Sequence, residues 1–321
     1  MAASLPQPSH ADGMLPIGAV VAALQRDYPD VSHSSLRFLE REGLVTATRT
    51  PGGHRLYAPA DVERIRHIKE WQRQRLSLDD IRQRLAALDR LPAPATLAAS
   101  FLEQATAGAL GAAYRTVIAA DEVGMPLLRL LDDVLRLALV EVGERWERGE
   151  LLVAQEKEIS ELSRDLIAEL SLRHAAVDPR APVIVAACVE GERHQLGLHM
   201  LCGLLRAAGH AVHYLGPDVA PRFLLESVRL HQPDTVLLSV KIPTNLPAVG
   251  EAIAALEEAL PASRRPRIIV GGQAAAGHAE TIRGWGAVPI ASERLDESLR
   301  AIAAIMPDRG NENAGHREAE G

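Results

Sequence analysis

The sequence predicts an α and α/β protein in three successive parts: a winged helix-turn-helix, a four-helix bundle and a doubly wound five-stranded parallel sheet. Three observations support this fold class. Short amphipathic helices flank an arginine-bearing hairpin near the N-terminus, the next region is rich in Ala and Leu without a strand-like run, and the last part alternates short β-branched runs with helical stretches. Such alternation is typical of a parallel sheet with helices on both faces.

The domain boundaries are placed where these patterns change. In chain order, the predicted segments are a disordered N-terminus at 1–13, the winged helix-turn-helix at 14–90, a linker "LPAPA" at 91–95, the four-helix bundle at 96–178, the parallel sheet at 179–306 and a disordered tail at 307–321. The tail is assigned as disordered because it has no apolar face that could be buried.

Within the first domain, each predicted element has its own signal. "IGAVVAALQRDY" has helical periodicity, and "SHSSLRFLEREGL" is a second helix that Ser32 can cap. "TRTPGGHRLY" reads as a hairpin because Pro51-Gly52-Gly53 favours a tight turn. Two further helices are marked by apolar spacing at Val62, Ile65, Ile68 and Trp71 or Gln72, and by the capping pair Ser77 and Asp80.

This arrangement predicts DNA binding, with the second helix in the major groove and the hairpin on the phosphate backbone. Residues 1–90 carry 13 Lys+Arg and 11 Asp+Glu, a balance of +2, whereas the remainder carries −9. The weak positive balance permits DNA binding without requiring it, and each arginine alone is equally compatible with an ordinary surface charge. The candidate DNA-binding residues are Ser34, Ser35 and Arg37 on the helix and Arg49, His54, Arg55 and Tyr57 on the wing.

A motif in the third domain predicts a ligand site. The strand-like runs are "PVIVAACV", "AVHYLG", "DTVLLSV", "RIIVGG" and "AVPIA", and Glu192-x-His194-x-x-Gly197 follows the first of them. Ligands of open parallel sheets bind at the carboxyl ends of strands, so the His194 imidazole is expected in the crevice. Glu192 can accept the second imidazole N–H of a metal-ligating histidine, and Gly197 lets a helix approach a bulky ligand. A hydrogen-bonded structural histidine is the alternative. Further candidates follow the third and fourth strands, at Ser239, Gly271 and Gly272.

The string "LRFLEREGL…RTPGGHRLYAPADVERI" resembles the MerR family of transcription regulators over about residues 16–88. The helix, the wing and the following helix occur in the family's order, whereas the turn "RDYPDV" between the first two helices is longer. The resemblance implies a homo-oligomer, a dimer or a tetramer, that binds inverted repeats in a double-stranded DNA operator.

Residues 182–305 resemble the cobalamin-binding domain. That resemblance implies that His194 replaces the cofactor's own base as the lower cobalt ligand. It also implies that Ser239 meets the displaced nucleotide tail, and that Gly271 and Gly272 leave room for the tail. One element departs from the family, because Lys241 stands where the Ser-x-Leu pattern has leucine.

The helical region resembles the cap of CarH/LitR-type regulators. Trp146, nine intervening residues and Glu156 match the family's Trp-x9-Glu-His pattern, and Val153 matches an intervening valine. The resemblance implies that these three side chains contact the 5′-deoxyadenosyl group of adenosylcobalamin. Lys157 replaces the histidine of the pattern, and Glu147 follows the tryptophan where light-sensing members have a histidine. For each side chain alone, core packing or a solvated helix face is the alternative.

Composition narrows the class of protein further. Two cysteines exclude a disulfide framework and a cysteine-rich zinc module, and they suit a cytoplasmic protein. No run is long enough for a membrane span, and the first 16 residues lack the apolar core of a signal peptide. No carboxylate cluster or nucleophile–base pair indicates catalysis, so we expect no enzyme.

These observations predict a cobalamin-dependent transcription regulator of the CarH/LitR type, a repressor that responds to adenosylcobalamin and, through it, to light. Two alternatives remain at this stage. The chain could be a MerR-type regulator that works without cobalamin and uses its C-terminal half to bind protein partners. It could also be the corrinoid carrier of a methyltransferase, although a winged N-terminal domain has no role in such a carrier.

Overall fold

The structure is a computed structural model that describes residues 13–25 and 28–306. The chain divides into two compact units, and the boundary falls between Leu91 and Pro92, inside the predicted linker. The segments expected to be disordered, 1–13 and 307–321, lie outside the described residues except for Gly13, as do two residues of the "RDYPDV" turn.

The first unit is a small helical domain with a three-stranded antiparallel sheet. Its elements are β1 (Leu15–Pro16), α1 (Ile17–Gln25), α2 (His33–Arg41), β2 (Thr48–Arg49), β3 (Arg55–Tyr57), α3 (Pro59–Arg73) and α4 (Leu78–Leu88). The strand order is β1-β3-β2, so the predicted hairpin β2-β3 gains a third strand from the segment before α1. That strand has only two residues, which is too short for an alternating pattern to reveal it.

Local side-chain hydrogen bonds explain where these helices begin and how the hairpin turns. The Ser32 hydroxyl accepts from the Ser35 backbone N–H at 3.1 Å, and the Ser35 hydroxyl accepts from the Ser32 N–H at 2.8 Å. Ser77 and Asp80 form the same reciprocal box at the start of α4. In the wing, the Gly53 N–H donates to the Thr50 carbonyl at 2.8 Å, and Gly53 has φ +77°, a conformation that favours glycine.

The second unit begins with the helical bundle. Its helices are α5 (Pro94–Thr106), α6 (Leu110–Val123), a π-helical segment (Arg129–Leu135) that continues directly into α7 (Arg136–Glu147), and α8 (Val153–Arg173). Pro94, which the sequence prediction assigned to the linker, lies in the first turn of α5, where a missing N–H costs nothing. The π-helical segment has no counterpart in the sequence prediction.

The parallel sheet completes the second unit. Its elements are β4 (Val183–Val189), α9 (Leu196–Ala207), β5 (Ala211–Val219), α10 (Pro221–His231), β6 (Thr235–Ser239), α11 (Leu246–Ala259), β7 (Arg267–Gly271), α12 (Gln273–Gly277), α13 (Ala279–Gly284), β8 (Val288–Pro289) and α14 (Leu295–Ile305). All five strands are parallel in the order β5-β4-β6-β7-β8. Alternate residues of β4 are buried in separate apolar clusters on the two faces of the sheet. The predicted fold class is therefore confirmed.

The bundle contacts the helices of the sheet domain through α8 and through the π-helical segment. Helix α8 packs closely on α9, because Gly203 leaves room for Ser171. The carboxylate of Asp132 in the π-helical segment is fully buried and accepts from the Leu295 backbone N–H at the start of α14, at 3.3 Å. It also pairs with Arg136 at 2.5 Å and with Arg294 at 2.9 Å. The negative charge is thus compensated by two guanidinium groups and a helix N-terminus.

The α8–α9 contact yields a first prediction. A Cβ atom on Gly203 would lie 2.3 Å from the Ser171 Oγ atom, which is buried and donates to the Ile167 carbonyl. We expect Gly203→Ala to lower the free energy of unfolding by about 1–2 kcal/mol, since overpacking outweighs the helix propensity that alanine adds. Urea unfolding measures this change.

The double variant Gly203→Ala/Ser171→Ala should lose less than the sum of the two single variants, because the clashing oxygen is gone. Gly143→Ala is the matched control, since no atom lies within 4 Å of its added Cβ. Strict additivity of the two substitutions would contradict the packing explanation.

Candidate cofactor site and DNA interface

The loop between β4 and α9, residues 190–195, lies at the carboxyl edge of the sheet, and we call it the His194 loop. The strand order places β5 on one side of β4 and β6 on the other, so the loops after β4 and β6 border the point where the winding direction changes. Ligands of doubly wound sheets bind in this crevice. The position of His194 therefore agrees with a ligand site.

The carboxylate of Glu192 joins these two loops. Its side chain is fully buried, and its Oε2 atom accepts from the backbone N–H groups of Lys241 at 2.8 Å and Ile242 at 2.9 Å. Its Oε1 atom accepts from the His194 backbone N–H at 2.9 Å and contacts the His194 Nδ1 atom at 2.6 Å. Burial alone would raise the pKa of Glu192, but the hydrogen bonds from Ile242, His194 and Lys241 outweigh burial and lower it to about 2. The group is therefore a carboxylate at neutral pH.

An ionised Glu192 determines which nitrogen of a neutral His194 imidazole carries the proton. Because the carboxylate can only accept, the proton of neutral His194 lies on Nδ1, and the lone pair lies on Nε2. The side chain is 47% exposed, and Nε2 makes no hydrogen bond to any described residue. A half-exposed imidazole with one nitrogen held by a buried carboxylate and the other open fits a metal that takes one protein ligand, such as the cobalt of a corrinoid.

Nearby thiols do not compete for this role. Burial raises the pKa of both Cys188 and Cys202 to about 12, so both remain protonated at neutral pH. The described residues also contain no group of three or more His, Cys, Asp or Glu side chains that could hold a metal ion.

Two residues that the sequence reasoning missed hold the His194 loop. The carboxylate of Asp218, at the end of β5, accepts from the Gly191 N–H at 2.7 Å, and the Asp218 N–H donates to the Glu192 carbonyl at 2.9 Å. The Asn245 amide donates to the Gly191 carbonyl at 3.2 Å and to the Glu192 carboxylate at 3.3 Å. Both residues are distant in sequence, so no local pattern marks them.

The glycines predicted to leave room for a ligand fall into two groups. A Cβ added to Gly197 or Gly271 meets no atom within 4 Å, which agrees with space kept free beside the loop. Gly272 differs, because it has φ +100° and its Cβ would lie 2.3 Å from the Val240 carbonyl oxygen. The backbone of the protein itself therefore requires glycine at 272. Ser239 ends β6 in register with Gly271, at the same edge of the sheet.

The predicted cap residues lie where α7 ends and α8 begins. Trp146 and Val153 are unusually exposed for apolar side chains, at 46% and 59%. The Glu156 carboxylate accepts from the Ser160 hydroxyl at 2.7 Å and pairs with Lys157 at 3.1 Å. Glu147 is exposed. Exposed apolar side chains suit contact with a bound organic group, and the assignment of these residues to adenosylcobalamin stays a prediction.

In the first unit, most of the predicted DNA-binding side chains are accessible. Ser34, Arg37, Arg49 and His54 are exposed, and Arg55 is partly so. Ser35 is engaged in the α2 capping box. The wing arginines, by which we mean Arg49 and Arg55, both pair with Glu40 of α2, at 3.3 Å and 2.5 Å.

Tyr57 requires a correction. Its side chain is fully buried in the core of the first unit, and burial raises the pKa of its hydroxyl. It cannot contact a DNA backbone from this position. Tyr57 ends β3, where it pairs with Leu15 of β1, so its ring supports the hairpin from the core.

Comparisons with known proteins identify relatives of both units of the chain. Residues 28–88 match the profile of the MerR HTH family regulatory protein, and residues 97–171 and 182–297 each match a profile of a B12 binding domain. The chain is 33% identical over 258 residues to the HTH-type transcriptional repressor CarH of Myxococcus xanthus, covering 74% of this chain and 83% of that protein.

Other similar proteins match only part of the chain. Dimethylamine corrinoid protein 3 of Methanosarcina mazei is 30% identical over 120 residues, which are 37% of this chain and 72% of that protein. The solved monomethylamine corrinoid protein of Methanosarcina barkeri superposes with a TM-score of 0.57 at 18% identity, over 67% of this chain and all of that one. The latter likeness shows a shared fold. No helix in the described part of the chain combines the length and the apolar character needed to cross a membrane.

Proposed function

The chain belongs to the family of MerR-type transcription regulators that carry cobalamin-binding domains, and we propose that it is a repressor whose DNA binding is set by adenosylcobalamin. The observation that carries this proposal is the His194 imidazole. Its Nδ1 atom is held by a buried carboxylate, and its Nε2 atom is open at the carboxyl edge of the sheet. The same chain carries a winged helix-turn-helix, so a bound ligand can control DNA binding.

The residues present have distinct parts in this proposal. His194 is the lower cobalt ligand, and Glu192 fixes its tautomer and orientation. Ser239, Gly197 and Gly271 border the space for the nucleotide tail. Trp146, Val153 and Glu156 contact the upper adenosyl group. When bound, the cofactor supplies a light-sensitive cobalt–carbon bond, and the protein supplies position and surroundings.

Control of DNA binding follows from linkage. A ligand that binds one assembly of the chain more tightly than another shifts the population toward the first by its difference in affinity. We propose that the cofactor-bound assembly is a homo-oligomer, a dimer or a tetramer, that binds inverted repeats in duplex DNA. The similarity to CarH covers 74% of this chain and supports a regulator, whereas the similarities to dimethylamine corrinoid proteins of Methanosarcina mazei and Methanosarcina acetivorans cover 37% and 46% of it.

The test is a dark and light comparison. The full chain is mixed with adenosylcobalamin in the dark and desalted, and its absorption spectrum and its affinity for DNA are recorded. The DNA is a duplex that the protein selects from a randomised pool. We expect retained cofactor and higher DNA affinity than without cofactor. If no cofactor is retained and DNA affinity is unaffected, the cofactor-independent regulator is the correct reading.

Illumination is expected to release both DNA and cofactor. Glu147 and Lys157 stand where relatives of the light-sensing type have histidines, and neither a carboxylate nor an ammonium group offers a neutral nitrogen donor. After light and a second desalting step, we expect most cobalamin to be lost and DNA affinity to fall. A cofactor that stays bound with the spectrum of two nitrogen ligands would show that another side chain reaches the upper face.

The wing gives a separate prediction. Arg55→Ala should weaken binding to the selected duplex and should lower the slope of log K against log salt by about one, because one phosphate contact is lost. Fluorescence anisotropy over a salt series measures both. Arg90→Ala removes the same charge from an exposed position after α4 and is the control. An unchanged slope for Arg55→Ala would argue against phosphate contact by the wing.

A further inference from the structure

One carboxylate connects the two DNA-reading elements of the first unit. Glu40 lies in the last turn of α2, and its two oxygens bind different wing arginines. Oε2 accepts from the Arg55 Nε at 2.5 Å, and Oε1 accepts from an Arg49 Nη at 3.3 Å. The hydrogen bond from Arg55 is the main reason that the pKa of Glu40 lies below its ordinary value. The group is therefore a charged carboxylate at neutral pH.

We infer that Glu40 is a specificity-determining residue of the DNA interface, because it reduces the net charge of the wing and fixes the direction of its two guanidinium groups. This inference rests on the proposed DNA-binding function. It assigns a role to a residue that does not itself contact DNA but acts through Arg49 and Arg55.

Glu40 first lowers the positive charge of the wing. Two arginines and one glutamate carry a net charge of +1, whereas the arginines alone would carry +2. Attraction to duplex DNA of any sequence grows with the number of phosphate charges that the protein neutralises. Glu40 therefore weakens the sequence-independent part of binding. Arg37, on the same helix, forms no ion pair with any residue in the described ranges, so it retains its full charge for DNA.

Glu40 also orients the two wing arginines. A guanidinium has five N–H donors, and Glu40 occupies one on Arg55 and one on Arg49. The remaining donors make no hydrogen bond to the described residues and can bind phosphate oxygens. Because these long side chains are already ordered by Glu40, a phosphate at the right position binds them with less loss of side-chain freedom. A phosphate elsewhere has to break the ion pairs first. Glu40 therefore favours duplexes whose phosphates fit the ordered arginines, and it lowers the affinity for duplexes of any other sequence.

The experiment compares Glu40→Gln with the unchanged full chain. Binding is measured against two duplexes of equal length and composition: one selected by the protein from a randomised pool, and one scrambled. For Glu40→Gln we expect several-fold tighter binding to the scrambled duplex, a salt slope steeper by about one, and a smaller ratio between the two affinities. Glu42→Gln is the matched control. It removes the same charge from the end of the same helix, but Glu42 pairs with Arg82 and not with a wing arginine.

A double variant distinguishes an effect of charge on DNA binding from a loss of folded protein. Arg55→Ala alone should give a slope shallower by about one, and Glu40→Gln/Arg55→Ala should return to the slope of the unchanged chain, because the net charge of the group is again +1. Thermal unfolding of each variant checks that the domain is folded. If Glu40→Gln and Glu42→Gln behave alike, or if Glu40→Gln weakens binding to both duplexes, the inference is wrong. If the unchanged chain selects no sequence and shows no salt-dependent binding, the proposed function itself fails.

Discussion

His194→Ala is expected to reduce cobalamin affinity by about 100-fold or more, because it removes the atom that we assign as the lower cobalt ligand. Loss of a residue that only orients a metal ligand already costs about 10–100-fold in affinity. The bound cofactor should also lose the base-off, histidine-on absorption spectrum. Equilibrium dialysis in the dark gives the affinity, and the spectrum of the retained fraction identifies the ligand state.

Two further variants make this result specific. Glu192→Gln keeps the imidazole but replaces an acceptor oxygen by an amino group that faces backbone N–H donors. We expect an intermediate loss of affinity and a lower melting temperature. His278→Ala removes an imidazole whose Nδ1 lies 2.8 Å from the Ala274 carbonyl, and it should leave the spectrum unchanged. Unchanged affinity and spectrum for His194→Ala would make the histidine a structural group.

Gly272→Ala is expected to lower the free energy of unfolding by about 3 kcal/mol or more. The added Cβ would lie 2.3 Å from a backbone oxygen of Val240, and φ +100° is a conformation that L side chains rarely adopt. Backbone cannot rotate away as a side chain can. The displaced strand end also carries the Lys241 and Ile242 N–H groups that bind Glu192, so cofactor affinity should fall with stability.

Gly271→Ala, one residue away, distinguishes a glycine that borders free space from one that the protein backbone requires. Its Cβ meets no atom within 4 Å, so we expect a change within about 0.5 kcal/mol in urea unfolding. Gly271→Leu should likewise fold but bind cobalamin more weakly, since the free space belongs to the ligand. Equal destabilisation by alanine at 271 and 272 would contradict this division.

Local chemistry explains which parts of the molecule could be predicted from sequence. The cap at Ser32, the box of Ser77 and Asp80, the turn at Gly53 and the alternation of strands with helices are each encoded within a few residues, and all are present in the structure. The proximity of Glu192 to His194 belongs to the same class, because two residues in one loop suffice for it. Their roles toward the cofactor stay predictions.

The missed features depend on contacts between distant segments. Asn245 and Asp218 reach the His194 loop only because β5 and β6 flank β4, and the pairing of Glu40 with the wing arginines requires the hairpin to fold back on α2. Tyr57 was assigned to DNA as a residue of the wing, but it pairs with Leu15 of β1, and its ring is buried in the core of the first unit. Sequence spacing contains none of this information.

The π-helical segment at Arg129–Leu135 determines which residue of α7 occupies each position further along the helix. A π-bulge absorbs one residue more than the regular α-helical ladder would hold, so every later residue is shifted by one place, which is about 100° of rotation. Trp146 therefore occupies the angular position that Arg145 would have in an uninterrupted helix. If the segment relaxed to α-helix without losing a residue, the indole would turn away and its neighbour would take its place. The buried Asp132 accepts a hydrogen bond at the start of α14, and this contact ties the π-helical segment to the sheet domain.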